Sequence, residues 1–278
     1  MSFKIGFKLM DLDDLLARST NPDPMYMDNR ANVLKGLYIL SLGEFWFEID
    51  GESILKRHPD FMAKYPQDTF EVGIDYQALQ LFTDIEEFLP VVLQSVPREL
   101  AEVVGNGSWI PWKAALDDAA GGSGQNNFPE SYRSAVNSAR SWWRHRELEF
   151  WYLVAPPDIH IWSPDLETVC LHWDTRNKRV EDTLTMIETN GSIESTRSAF
   201  LEAMTEFRDS LLGALSGRIR ELEQRELIDA DGEANLRRQL ELYRNQFDTA
   251  LAGRIDDEQW PEVISALRQL EPLVGPLF

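Results

Sequence analysis

The side chains with most chemical potential are His160, Cys170 and His172. They lie in the tract WWRHRELEFWYLVAPPDIHIWSPDLETVCLHW, residues 142–173, which holds five of the nine tryptophans and three of the four histidines. A thiol between imidazoles could be a nucleophile activated by a base or a soft metal site. Alternating polarity predicts a three-stranded meander over Leu148–Val154, Asp158–Trp162 and Thr168–Trp173, turning at Ala155-Pro156-Pro157 and Ser163-Pro164-Asp165. Its period of two places Trp151, Leu153, Ile159, Ile161, Val169, Leu171 and Trp173 on a core face. Tyr152, His160, Trp162, Cys170 and His172 share the other, with His160 opposite Cys170 in the simplest register. The competing reading is packing, because a lone cysteine is among the most buried residue types. The weak spacing favours packing, so no catalytic residue, metal ligand or cofactor is expected here.

A second candidate group is Trp109, Trp112, Asp117 and Asp118. From Gly105 to Gly124 the chain reads as irregular, and Trp109-Ile110-Pro111-Trp112 is apolar within it. Such tryptophans either tuck into the core or stand out as anchors for a partner, with the aspartates as a charged rim. The carboxylates Asp84, Glu86, Glu87, Glu221, Glu223 and Glu226 read instead as solvated helix faces. There is no G-x-G-x-x-G, Walker loop, H-E-x-x-H, C-x-x-C or G-x-S-x-G spacing.

The elements that must position these residues divide the chain unevenly. Phe3, Ile5, Phe7 and Leu9 alternate with Lys4, Gly6 and Lys8 as a strand suited to a sheet edge. Val33–Leu42, Phe45–Ile49 and Glu52–Leu55 continue it, and Asp50-Gly51 is a hairpin signal because both central residues of a type I′ turn need positive φ. A helix then carries Leu79, Phe82, Ile85, Leu89 and Val92 on one stripe, and Pro90 should bend or interrupt it. Another, opened by Pro129, carries Tyr132, Val136, Ala139 and Trp143. After the meander a further strand is expected over Thr183–Thr189, closed by Asn190-Gly191. Ser192 onward is a helix with Phe200, Met204, Phe207, Leu211, Leu215, Ile219 and Leu222 on its stripe. It breaks at Asp229-Ala230-Asp231-Gly232 and pairs with a second helix bearing Leu236, Leu240, Tyr243, Phe247 and Leu251. A third helix, capped by Asp256 or Asp257, ends before Pro272. The expected architecture is a single α+β domain over 1–278. Residues 1–191 give an antiparallel sheet of about seven to eight strands with intervening helices, and 192–278 give a helical hairpin plus third helix packed on it.

Composition sets the outer limits. The 278 residues carry 27 Lys plus Arg against 47 Asp plus Glu, a net charge of −20. This charge repels nucleic acid and anionic membrane and favours a basic partner. One cysteine allows no internal disulfide, the start of the chain reads as a strand rather than a leader, and no apolar run approaches the roughly 20 residues of a spanning helix, so a cytoplasmic location is expected.

Several segments together resemble an uncharacterised family of bacterial domains of unknown function associated with polymorphic-toxin immunity loci. They are Leu42–Gly51, Asp75-Tyr76-Gln77 through to Pro97, Trp143–Leu148 with Tyr152-Leu153, and Asp257–Leu270. Ala155-Pro156-Pro157 departs from the Gly-Pro usual after the Tyr-Leu strand. The resemblance implies one α+β module and supplies no catalytic residue. Joined to the acidity, it leads to the expectation of a non-enzymatic immunity protein that occludes a cognate, basic toxin domain. The alternatives are an enzyme using the His160, Cys170 and His172 face, and a scaffold that docks partners on its helical hairpin.

Overall fold

The computed structural model describes residues 2–18, 36–65, 74–119, 130–150, 153–253 and 260–278. Its helices are α1 (Leu12–Arg18), α2 (Leu37–Leu40), α3 (Pro59–Lys64), α4 (Ala78–Val92), α5 (Arg98–Gly105), α6 (Trp109–Ala119), α7 (Glu130–Arg144), α8 (Arg197–Gln224), α9 (Ala230–Leu251) and α10 (Trp260–Val274).

Strand β1 (Phe3–Leu9) pairs antiparallel with β2 (Leu42–Ile49), Phe3 opposite Ile49 and Leu9 opposite Gly43. Alternation buries Phe3 and Ile5 and leaves Lys4 and Lys8 in solvent, on an edge strand where lysines discourage further pairing. Asp50 and Gly51 take φ of 50° and 86° and turn the chain into β3 (Glu52–Ser53). The second side of β2 is shared end to end by β3 and β4 (Ile74–Gln77), so this sheet has four strands but is three wide.

The remaining strands do not extend it. Strands β5 (Asp158–Trp162), β6 (Thr168–Asp174) and β9 (Asn190–Thr196) form a separate antiparallel sheet in the order β5-β6-β9, and β7 (Arg179–Val180) with β8 (Thr183–Leu184) is a small ribbon. The fold is α+β as expected, but the single sheet of seven to eight strands is corrected to two open sheets and a ribbon. Two local features explain the split. Residues 148–150 and 153–154 are not strand; Leu153 N–H turns back to the Phe150 carbonyl and Ala155 sits at φ 55°. Trp151 and Tyr152 of that expected strand lie outside the described residues. Asn190-Gly191 opens β9 rather than closing a strand, because the Trp173 indole across the ladder occupies the place of a side chain; a Cβ on Gly191 would stand 2.6 Å from it.

Helix α8 therefore starts at Arg197, five residues after Ser192. The Thr196 hydroxyl caps it, accepting from Ala199 N–H at 3.2 Å, which satisfies one of the donors a helix start leaves open. The expected stripe from Phe200 to Leu222 is buried, and the expected break separates α8 from α9, where Asp229 Oδ1 accepts from Gly232 N–H. Prolines interrupt less than expected. Pro90 and Pro272 both lie inside helices, each two residues from the end, where the missing N–H costs a single hydrogen bond. Asp256, Asp257 and Pro129 lie outside the described residues.

The three-stranded sheet separates two cores. On one side Ile159, Ile161, Val169, Leu171 and Ile193 join Phe45, Phe47, Phe82, Phe200, Phe207 and Phe247 beneath α4, α8 and α9. On the other, Trp162 and Cys170 meet Trp109, Trp112, Trp142 and Trp143 of α6 and α7 and Leu267 and Leu270 of α10.

Candidate functional site: a cleft between the α5–α6 corner and the outer face of the sheet

Within the segment expected to be irregular, Gly105 to Gly124, residues 120–124 lie outside the described residues and Trp109–Ala119 is helix α6. Pro111 is its third residue, inside the first turn where a missing N–H breaks no intrahelical bond. Asn106 Oδ1 accepts from Ser108 N–H and holds the glycine-bounded corner. Trp109 and Trp112 are only 1% and 5% exposed, so neither ring is a free anchor; both fasten α6 to the interior. Trp112 donates its indole N–H to the Gly275 carbonyl at 3.0 Å. Asp117 pairs with Lys113 Nζ at 2.9 Å and Arg140 at 2.8 Å, which ties α6 to α7. Asp118 is exposed, and Ile110 is 49% exposed.

The sheet's outer face holds the other group in a register shifted from the expected one. His160 lies opposite His172, and Cys170 lies opposite Trp162. The two faces are as the alternation predicts; the direct His160–Cys170 pair is corrected. His160 stacks on Trp143 with ring centroids 4.4 Å apart, and its Nε2 faces Glu147 Oε2 at 3.6 Å. Burial alone would raise the pKa of Glu147, but His160, Lys113 and Lys178 outweigh it and hold the carboxyl below its ordinary range. Burial, then His160, pushes His172 down, so it is neutral at neutral pH. Desolvation, aided by Glu194 and Asp165, pushes the Cys170 thiol up to about 12. Among the described residues no three His, Cys, Asp or Glu side chains are grouped to hold a metal ion.

One member of the first group, Trp109, and two of the second, Cys170 and His172, line one cleft of about 340 Å³, whereas Trp112, Asp117, Asp118 and His160 stand outside its lining. Trp162, Cys170 and His172 come from β5 and β6, Val104, Trp109 and Ile110 from the α5–α6 corner, and Ser192 and Glu194 from β9. Glu194 stands opposite Cys170 and Ser192 opposite His172 across the β6–β9 ladder, so both side chains share the outer face. Sequence reasoning missed Ser192 and Glu194 because it placed them in a helix; their alternation with Ile193 and Ser195 was the available signal. It also missed Arg146, fully buried, whose guanidinium donates to the Trp142 carbonyl at 2.6 Å and toward the Val91 carbonyl at 3.4 Å. Those carbonyls sit in the last turns of α7 and α4, where helix dipoles favour a cation.

No helix among the described residues is long and apolar enough to cross a membrane. No curated protein and no solved structure matches the chain. A protein-family model does match, over residues 7–266, nearly the whole chain. On that match the chain belongs to DUF5984, a family of unknown function.

Proposed function

We propose that this protein is a non-enzymatic immunity protein that binds a cognate, basic bacterial toxin domain and occludes its active site. The observation that carries the reading is the cleft at the α5–α6 corner. There half-exposed Ile110 stands beside an apolar hollow whose β9 rim bears Glu194, in a chain of net charge −20. An apolar anchor ringed by charge is how binding surfaces gain affinity, and charge complementarity speeds encounter with a basic partner. In this reading Trp109 and Trp112 act from beneath by fixing α6, Asp117 sets its angle through Arg140, and Ile110 and Asp118 meet the toxin. The resemblance to domains of toxin-immunity loci supports the choice of partner. The enzyme alternative draws less support, because a thiol held up to about 12 has almost no thiolate at neutral pH.

The test is co-expression with candidate basic toxin domains, those encoded by neighbouring genes first, scored by survival, using wild type and an Ile110→Asp/Asp118→Lys double variant, with thermal melts of both. Protection by wild type and its loss in a variant of unchanged melting temperature would support the function and the surface. Failure of wild type to protect would end the immunity reading, and a protecting double variant would move the interface off α6.

A further inference from the structure

The cleft also specifies what its occupant must look like. Its walls are apolar where Val104, Ile110, Trp162 and Pro164 line it, and Glu194 adds a carboxylate from β9. Glu194 is exposed and makes no ion pair among the described residues, whereas Glu102 of α5 is paired with Arg98 at 2.7 Å. Asp165 is likewise engaged, accepting from the N–H groups of Glu167 and Thr168 at 2.8 and 2.7 Å. Glu194 is thus a carboxylate left over beside an apolar hollow, and His172 across from Ser192 adds no competing positive charge at neutral pH.

We propose that the cleft receives one lysine or arginine side chain of the protein partner, its aliphatic stem along Val104, Ile110, Trp162 and Pro164 and its cationic head at Glu194. Long basic side chains divide themselves in this way, burying methylenes while the head stays in a polar environment, and a space of about 340 Å³ is near the lower end of small-ligand sites. The inference rests on the binding role proposed above and adds the chemistry of the inserted group.

Blocked amino acids test it without a toxin. N-acetyl-arginine amide, N-acetyl-lysine amide and N-acetyl-norleucine amide are titrated into the full chain, followed by the backbone amide resonances of residues 192–196. Saturable binding of the two cationic probes, at least about tenfold tighter than norleucine, is expected; tenfold corresponds to about 1.4 kcal/mol. Glu194→Gln should bring both down to the norleucine level with the melting temperature unchanged, since Glu194 serves the ladder through its backbone. Equal binding of norleucine, an unaffected Glu194→Gln variant, or no saturable shifts would each overturn the proposal. A positive titration from a protein that fails to protect against the toxin would keep the cleft's chemistry and discard the immunity role. Protection without titration would do the reverse.

Discussion

Phe82, Phe200, Phe207 and Phe247 fill one core, and Trp109, Trp142 and Trp143 fill the other; all seven are nearly inaccessible to water. The difference lies in what accompanies the burial. A phenyl ring carries no polar atom, and the first core gains from contacts such as Phe82 on Phe247 at 4.5 Å with nothing left unpaired in the rings. Each indole carries an N–H. The tryptophans touch at 4.7 Å between Trp109 and Trp142 and 5.4 Å between Trp142 and Trp143, yet none of the three buried N–H groups has an acceptor among the described residues. Each such donor costs about 1–3 kcal/mol, set against the 150–250 Å² an aromatic side chain buries. The tryptophan core therefore trades polar satisfaction for area, and it is the one that borders the cleft. Binding regions are drawn from the less stable parts of a fold.

The sharpest test of the contrast is Phe207→Ala. This ring meets both Phe7 and Phe82, and its loss should cost about 3–5 kcal/mol in denaturant unfolding. A cost below about 1 kcal/mol would mean the phenyl core is looser than its burial implies. Within the tryptophan core, Trp112→Phe removes a hydrogen bond to Gly275 and Trp143→Phe removes an orphan donor. The first should cost about 1–2 kcal/mol more than the second; equal costs would show that the unpaired N–H groups carry no penalty. Thr196→Ala, at the junction between the cleft's β9 rim and α8, should cost about 1 kcal/mol through the lost cap.

The smallest effect is on pH. His172 is held below its ordinary value of 6.5, first by burial and then by His160, so the unfolded chain binds the proton more readily. Its contribution is fully present above pH 6.5 and is lost as the pH falls from there through the folded value. Melting temperature should drop across that window in wild type and drop less in His172→Gln. The Glu147 contribution has the same sign but fades lower, as the pH falls below its ordinary 4.5. An identical slope in both proteins would remove His172 as the source.

Much of the helical part was legible because stripes such as Phe200 to Leu222 and Leu236 to Phe247 repeat long enough to fix a period. Asp50-Gly51 and the alternation of β1 were legible for the same kind of local reason. The sheet partition was not, since it turns on contacts between distant residues. Gly191 reads as a turn until Trp173 is seen lying over it, and Gly6 is likewise roofed by Trp46. Helix α6 was hidden by Pro111 and its flanking glycines, which are turn residues in isolation and tolerated in a first helical turn. The faces of the meander followed from alternation alone, whereas its register, and so the true neighbour of Cys170, depended on how the Ser163–Glu167 connection closes. The cleft was out of reach because its β9 rim, Ser192 to Glu194, comes from a strand that sequence assigned to a helix, and its α5–α6 wall from a segment read as irregular.

Arg146 has a consequence for how the molecule comes apart. Its guanidinium is held by carbonyls 4 and 55 residues away, one from a helix of the tryptophan core and one from a helix of the phenyl core. Parting the two cores would break the contact to the Val91 carbonyl, which joins a charged group of one core to the end of α4 in the other. That contact, together with a sheet whose two faces belong to the two cores, couples the halves, and we expect them to behave as one cooperative unit. Heating should melt them in a single transition in which calorimetric and van't Hoff enthalpies agree, and a partly opened form with one core intact should have no measurable population.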